Sequence, residues 1–278
     1  MEVSNTMNVG IIGLGSMGSM LVKGLLKSKV IHPAQLFVYN RTVSKTELLA
    51  EQYPFVVCHE LADVCKASDI LFLCTKPLDI SPLLMQVKPF TKPETHIVSV
   101  AAGVSLAHLA GIYEGPVSKV IPTVTSQELH GVSLFASHEC VAPVQKEQLV
   151  QLLQAIGKAF EITESAIETA TILTSSAPGL IAGMMEQFAQ AASRKTPELS
   201  LETYRSLLVE TLLGTALLLD AEKMGFDEMI ERVATKGGIT EEGLSVLGKT
   251  LPQAFDELLD MTEQKHSLLK NRVDEQFS

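Results

Sequence analysis

The chain has 278 residues, 46% of them hydrophobic, and a net charge of −10. That length supplies one large domain or two ordinary ones with a sizeable core. With aromatics at 5% and no Trp, the core must be filled by Leu, Ile, Val, Ala and Met. The acidic balance and the absence of a basic run exclude nucleic acid and anionic membranes as expected partners. Cys58, Cys65, Cys74 and Cys140 form no C-x-x-C pair, no Cys/His cluster has zinc spacing, and no metal is expected. No segment reaches the length of a membrane span, and the start lacks a basic-then-apolar leader pattern. The expectation is a cytoplasmic protein with reduced thiols.

An apolar run at 8–12 leads into Gly13-Leu14-Gly15-Ser16-Met17-Gly18, and an amphipathic stretch follows. Strand, glycine turn, then helix is the context in which G-x-G-x-x-G points to a dinucleotide. Gly13 allows the tight turn, Gly15 lets backbone approach a pyrophosphate, and Gly18 lets helix pack on strand. The helix start offers free N–H groups and a positive dipole end. The second strand-like run, 36–39, ends in Asn40-Arg41-Thr42. An NAD site usually places Asp or Glu here for the ribose 2′-OH. A guanidinium and two neutral polar side chains suit a 2′-phosphate instead, so NADP(H) is expected over NAD(H).

Further strand-like runs lie near 55–58, 69–74, 96–100 and 117–121, with helix-like stretches such as 45–52 and 61–66 between them. This alternation predicts an α/β fold, a Rossmann-like doubly wound and mostly parallel sheet. The run 131–136 reads as another strand, 144–158 as a helix, and Phe160-Glu161-Ile162 as a closing strand. After Thr163 strand signals vanish, which sets the expected domains at 1–163 and 164–278. Residues 167–193 read as helix with a break at Pro178-Gly179, and 252–270 as a final amphipathic helix. Between them, 201–224 carries Leu207, Leu208, Leu212, Leu213, Leu217 and their neighbours around most of its circumference. Such a helix is buried on all sides, and in so small an all-α domain the cover is expected to be a second subunit.

The chain resembles the pyrroline-5-carboxylate reductase family in a series of motifs taken in order. They are the glycine turn with Lys23-Gly24-Leu25; Asn40-Arg41; Thr75-Lys76-Pro77, similar to V-K-P; Ser99-Val100-Ala101-Ala102-Gly103-Val104, similar to S-x-A-A-G-I; Ile121-Pro122; and Thr235-Lys236-Gly237-Gly238-Ile239-Thr240, similar to S-P-G-G-T-T. The resemblance implies a Rossmann domain followed by an all-helical dimerisation domain. It implies a homodimer through the C-terminal helices and leaves larger rings of dimers open. It also implies hydride transfer to the C=N of 1-pyrroline-5-carboxylate or a related cyclic imino acid, giving L-proline in the first case.

On that basis the cofactor residues are Gly13, Gly15, Ser16, Met17, Gly18, Asn40, Arg41, Thr42, Thr75, Lys76, Pro77, Ala101, Ala102 and Gly103. The substrate residues are Thr235, Gly237, Gly238 and Ile239, and Thr240 is the catalytic hydroxyl at the ring nitrogen. Read from the residues alone, Thr240 is first a helix cap, and it is the resemblance that sets the catalytic role beside it. The substrate half departs from the family: its M-P-N-T-P is Ile121-Pro122-Thr123-Val124-Thr125, its S-G-S-G-P-A is Thr174-Ser175-Ser176-Ala177-Pro178-Gly179, and Glu241 and Glu242 follow the expected carboxylate site. These departures look like the family's late-competence-operon branch. They keep open a non-catalytic dinucleotide-binding paralogue with a regulatory or sensing role.

Overall fold

The computed structural model describes residues 7–277. Contacts divide the chain into two compact units, Met1–Ser176 with Thr262–Ser278, and Ala177–Met261. The first unit is built on an eight-stranded sheet in the order β3-β2-β1-β4-β5-β6-β7-β8. Its strands are β1 (Val9–Ile12), β2 (Leu36–Tyr39), β3 (Val56–Val57), β4 (Ile70–Leu73), β5 (His96–Ser99), β6 (Val117–Ile121), β7 (Gly131–Ser137) and β8 (Gly157–Glu161). Strands β1 to β6 are parallel; β7 runs antiparallel to β6, and β8 parallel to β7.

The helices explain the sheet. Strands β1 and β4 read as unbroken apolar runs and are buried on both faces, as parallel strands covered on both sides must be. One face carries Val9, Ile11, Val38 and Phe72 under α1 (Ser16–Ser28) and α6 (Pro143–Ala155). The other carries Leu71, Leu73, Ile97 and Val117 among α3 (Leu61–Ala67), α4 (Pro77–Val87) and α5 (Leu106–Ile112). This unit also holds α2 (Val43–Ala50), α7 (Ile167–Leu173) and, from Thr262 on, the last part of the helix Ile239–Phe277. The order reverses at β1, whose neighbours are β2 and β4, so the crevice at its C-terminal end is the expected ligand position.

Two glycines are fixed by space. Gly18 would put a Cβ 1.9 Å from the Gly13 carbonyl oxygen, so the start of α1 closes on β1 only without a side chain there. Gly157 has φ +149 and would put a Cβ 2.0 Å from the Gly131 oxygen. That glycine is why the helix expected over 144–158 ends at Ala155 and the chain turns into β8.

The second unit is helical: α8 (Ala177–Lys195), α9 (Leu201–Glu222), α10 (Phe226–Val233) and the first part of α11 (Ile239–Phe277). The break expected at Pro178-Gly179 falls at 174–176, just before them, and Pro178 sits in the first turn of α8, where its missing N–H costs nothing. The last helix starts at Ile239, not 252, and runs through Pro252. Proline removes one helical hydrogen bond, and the good helix formers on both sides outweigh that loss. Arg205 on α9 donates from Nε and Nη2 to Glu186 on α8, at 2.8 and 2.6 Å, and this fork holds the Glu186 carboxyl down to about 2. Among the described residues of this unit Ala189 alone is buried. Leu207, Leu213 and Leu217 of α9 are 54–56% exposed, so a helix whose sequence demands burial is bare within one chain.

No helix of the described residues is long and apolar enough to cross a membrane.

Candidate active site

The expected cofactor residues gather where the topology predicts. The loops after β1 (Gly13–Gly18), β2 (Asn40–Thr42), β4 (Thr75–Pro77) and β5 (Val100–Gly103) all leave the C-terminal ends of neighbouring parallel strands. Gly13 takes φ +100 and donates its N–H to the Tyr39 carbonyl at 2.9 Å. A Cβ there would lie 2.7 Å from the Cys74 oxygen. Gly15 is different. It is exposed, caps α1 in extended backbone, and a Cβ there would meet nothing within 4 Å. The protein itself has no steric need for glycine at Gly15, so the free space above it fits a phosphate brought close to backbone. No acidic residue stands in the first turn of α1 to compete for that position.

Asn40 does work that the sequence did not show. Its Oδ1 accepts the Leu14 N–H at 2.9 Å and its Nδ2 donates to the Thr42 carbonyl at 2.9 Å. The amide pins the glycine turn to the loop after β2 and keeps its second N–H and second lone pair. Arg41 and Thr42 are exposed beside it. With no carboxylate at the end of β2, Arg41 is the group available to a 2′-phosphate. Thr75 brings a buried hydroxyl with no partner to the same edge, and its Cγ2 lies 3.3 Å from the Cβ position of Gly13. A buried unpaired hydroxyl at a ligand crevice marks a place for an acceptor or donor from the ligand. Lys76 is exposed and caps α4, with Pro77 at its first position. Ala101 is buried; its N–H lies 3.3 Å from Ser99 Oγ. Gly103 is buried with φ +80, and a Cβ there would lie 3.5 Å from Leu269. That contact is an ordinary one, so it is the positive φ that favours glycine here.

The expected substrate residues lie together in the second unit, on the turn that opens α11. Gly237 has φ +72, which favours glycine. Gly238 donates its N–H to the Thr235 carbonyl at 2.8 Å. Ile239 is 92% exposed and Thr240 half-buried. Two results bear on the chemistry. Thr240 is the second residue of α11, beyond the cap position, and no hydrogen bond of its hydroxyl is present among the described residues. Capping falls to Glu241, whose Oε2 accepts the Gly237 N–H at 2.6 Å. This carboxylate stands on a backbone donor of the turn expected to receive a substrate carboxylate.

The departures also have structural consequences. Thr123, in place of the family asparagine, is 2% exposed, and its hydroxyl accepts the Val132 N–H at 3.0 Å and meets Thr125 Oγ1 at 2.8 Å. It ties β7 to the end of β6. Sequence reasoning missed Thr75 Oγ1 as an unpaired group and passed over Lys119. A lysine inside the apolar strand Val117-Ser118-Lys119-Val120-Ile121 was the available signal.

Residues 164–269 match the pyrroline-5-carboxylate reductase dimerisation family, and residues 8–103 match the family of coenzyme F420-dependent NADP oxidoreductases. The chain is 39% identical to pyrroline-5-carboxylate reductase 3 of Bacillus subtilis (strain 168), over 96% of this chain and 98% of that one. It is 28% identical to ComE operon protein 4 of the same organism, over 98% and 99%. Among solved structures, the pyrroline carboxylate reductase of Plasmodium falciparum with NADP bound superposes with a TM-score of 0.83, at 20% identity over 95% of this chain and 98% of that one. A Rossmann-like parallel sheet followed by a helical region carrying a dimerisation match, aligned along nearly the whole length of a reductase, settles the family. The chain belongs to the pyrroline-5-carboxylate reductase family.

Proposed function

We propose that the protein is an NADPH-dependent reductase of 1-pyrroline-5-carboxylate, or a closely related cyclic imine, giving L-proline in the first case. The observation that carries the reading is the open phosphate cradle at Gly15 in the first unit; within the second unit, taken by itself, the Thr240 hydroxyl beside the Gly237-Gly238 turn is left unbonded. The 39% identity to a named pyrroline-5-carboxylate reductase supports it.

When bound, the nicotinamide supplies the hydride. The chain's own part is positioning. Gly13, Gly15, Ser16, Met17 and Gly18 hold the pyrophosphate on the α1 N-terminus, with Asn40 fixing the turn and Arg41 and Thr42 facing the 2′-phosphate. Thr75, Lys76, Pro77, Ala101, Ala102 and Gly103 border the nicotinamide end. Thr235, Gly237, Gly238 and Ile239 present the turn to the substrate carboxylate. Thr240 hydrogen-bonds the ring nitrogen and steadies its proton as the C=N bond is reduced. Residues 1–163 act as the cofactor domain and 164–278 as the dimerisation and substrate domain. The working unit is a homodimer through the C-terminal helices, supported by the bare leucines of α9, and rings of dimers extend the same reading. The cytoplasm is the expected compartment, in keeping with four free thiols.

The test is loss of NADPH absorbance with pyrroline-5-carboxylate, run beside NADH and beside Thr240→Ala. Turnover with NADPH that falls at least 100-fold in the variant supports the reading; equal activity in the variant removes Thr240 from it. A second reading, a dinucleotide-binding paralogue with a regulatory or sensing role, is favoured by the Glu241 carboxylate on the Gly237 N–H and by the match to ComE operon protein 4. Tight NADPH binding without consumption across a panel of imines would select it.

A further inference from the structure

In the first unit, lined by none of the glycine-turn residues, a cavity of about 370 Å³ with charged groups in its wall opens beside the last part of α11. Its lining carries two ammonium groups, Lys119 and Lys270, two carboxylates, Glu164 and Glu168, and the hydroxyl residues Ser105 and Ser165. Lys119 rises from the middle of β6 with its side chain 5% exposed. Its nearest carboxylate oxygen, Glu164 Oε1, is 4.0 Å away, and no hydrogen bond to Nζ is present among the described residues. Burial pushes its pKa below the ordinary lysine value, with Glu164 and Glu168 opposing that shift. A buried ammonium with three donors, at ion-pair but not hydrogen-bond distance from its nearest carboxylate, gains from an acceptor that a ligand in the cavity would supply.

The other groups are partly engaged. Glu164 Oε1 accepts the Leu106 N–H at 2.8 Å. Glu168 Oε1 lies 3.3 Å from His266 Nδ1 and 3.9 Å from Lys270 Nζ. Ser105 accepts the His108 N–H as the cap of α5, which leaves its O–H as a donor.

A lone anion in this cavity would meet two carboxylates, and a lone cation two ammonium groups. A ligand carrying both charges meets complementary partners at each end. We propose that the Lys119 cavity binds a small zwitterionic α-amino acid, its carboxylate on Lys119 and Lys270 and its ammonium on Glu164 and Glu168. Gly103 lines the same cavity and directly follows the Ala101-Ala102 segment. Occupancy therefore bears on a loop expected to border the nicotinamide, and an amino acid held here would modulate the reductase from beside its cofactor site. None of the charged groups belongs to the Gly13–Gly18 or Thr235–Thr240 segments, so binding can be measured whether or not the chain turns over an imine.

The experiment is thermal unfolding of the full chain at constant ionic strength with glycine, L-proline, acetate or methylammonium. At tenfold excess over Kd a zwitterion should raise Tm by about 3 °C, and the two singly charged probes should not. Lys119→Met and Lys270→Gln should each abolish or sharply reduce the zwitterion shift while unfolding stays cooperative. Lys270 is half-exposed, so its variant keeps the test open if Lys119→Met does not fold. Equal shifts with acetate would reduce the cavity to a plain anion site and overturn the proposal. A proline shift that survives both variants would place that ligand at the Gly237-Gly238 turn instead, and no shift with either zwitterion would end it.

Discussion

Glu241→Gln separates the hydrogen bond that Glu241 makes in the structure from the competition with substrate that the proposed function implies. In the wild type the carboxylate accepts the Gly237 N–H at 2.6 Å. A hydrogen bond to a charged group contributes about 1.5–3 kcal/mol when sheltered; Glu241 is exposed, so the low end applies. A substrate carboxylate seeking the same donor must displace that bond and then remain near a like charge. Glutamine keeps the length and an acceptor oxygen but removes the charge. The expected result is a KM for pyrroline-5-carboxylate lower by ~10-fold, with kcat unchanged. For 1-pyrroline, which lacks the carboxylate, KM should not move. The gap between wild type and variant should narrow as salt rises from about 0.05 M to about 0.5 M, because an exposed charge is screened. The variant should also lose part of a helix cap, about 0.5–1 kcal/mol, visible as a small fall in Tm. A fall in Tm with no change in KM for either imine would show that Glu241 is a cap and nothing more, and would refute the competition argument.

Other outcomes follow from single residues. Arg41→Ser should weaken NADPH ~10-fold or more in a fluorescence titration and leave NADH nearly unchanged, since only the 2′-phosphate depends on the guanidinium. Leu213→Asp with Leu217→Asp should shift the protein from dimer to monomer in light scattering, because both side chains are more than half exposed in one chain. His96 is fully buried, and burial lowers its pKa to about 4, with its Nε2 2.7 Å from Ser118 Oγ. The unfolded chain takes up that proton near pH 6.5 and the folded one does not, so stability should fall as pH drops from about 6.5 to about 4, by up to ~3 kcal/mol; in His96→Leu that part of the slope, read by denaturant titration at each pH, should vanish. Burial pushes the Cys58 and Cys65 thiols up to about 11 and about 12, and Cys74 still higher, so a maleimide should label Cys140 alone in the native protein.

The sheet was legible because its strands are short apolar runs set apart by helices and turns, and because Gly18 is required by a contact to the Gly13 backbone five residues before it. Local signals of that kind survive in a single sequence. Helix limits were less legible. The helix assigned to 144–158 ends at Ala155 because of the packing of Gly157 on Gly131, a contact 26 residues away that no periodicity encodes. Pro252 suggested a helix start and lies inside α11, where the surrounding sequence carries the helix across it. At the site, Asn40 is expected to meet the cofactor, and its second part as a strut for the glycine turn was hidden because its partner Leu14 is distant in sequence and adjacent across β1 and β2. The charged cavity around Lys119 joins β6, α7 and α11, and only the fold brings those segments together.

The two helix starts that serve the proposed chemistry differ in charge. At α1 the first turn contains no acid, Gly15 is bare, and the dipole faces a site expected to take phosphate. At α11 the first turn contains Glu241 and Glu242, and one of them already sits on a backbone donor of the turn. A helix N-terminus attracts whichever anion reaches it at least cost, and an intramolecular carboxylate is always present at high effective concentration. The proposed cofactor end is therefore open to its anion, whereas the proposed substrate end holds one of its own. A substrate that binds there must either carry enough other contacts to displace Glu241 or do without a carboxylate. The ratio of kcat/KM for pyrroline-5-carboxylate to that for 1-pyrroline measures this directly. A ratio well above one would mean that the remaining donors of the turn outweigh Glu241, and a ratio near or below one would mean that the carboxylate of the chain has taken over the place of the substrate's.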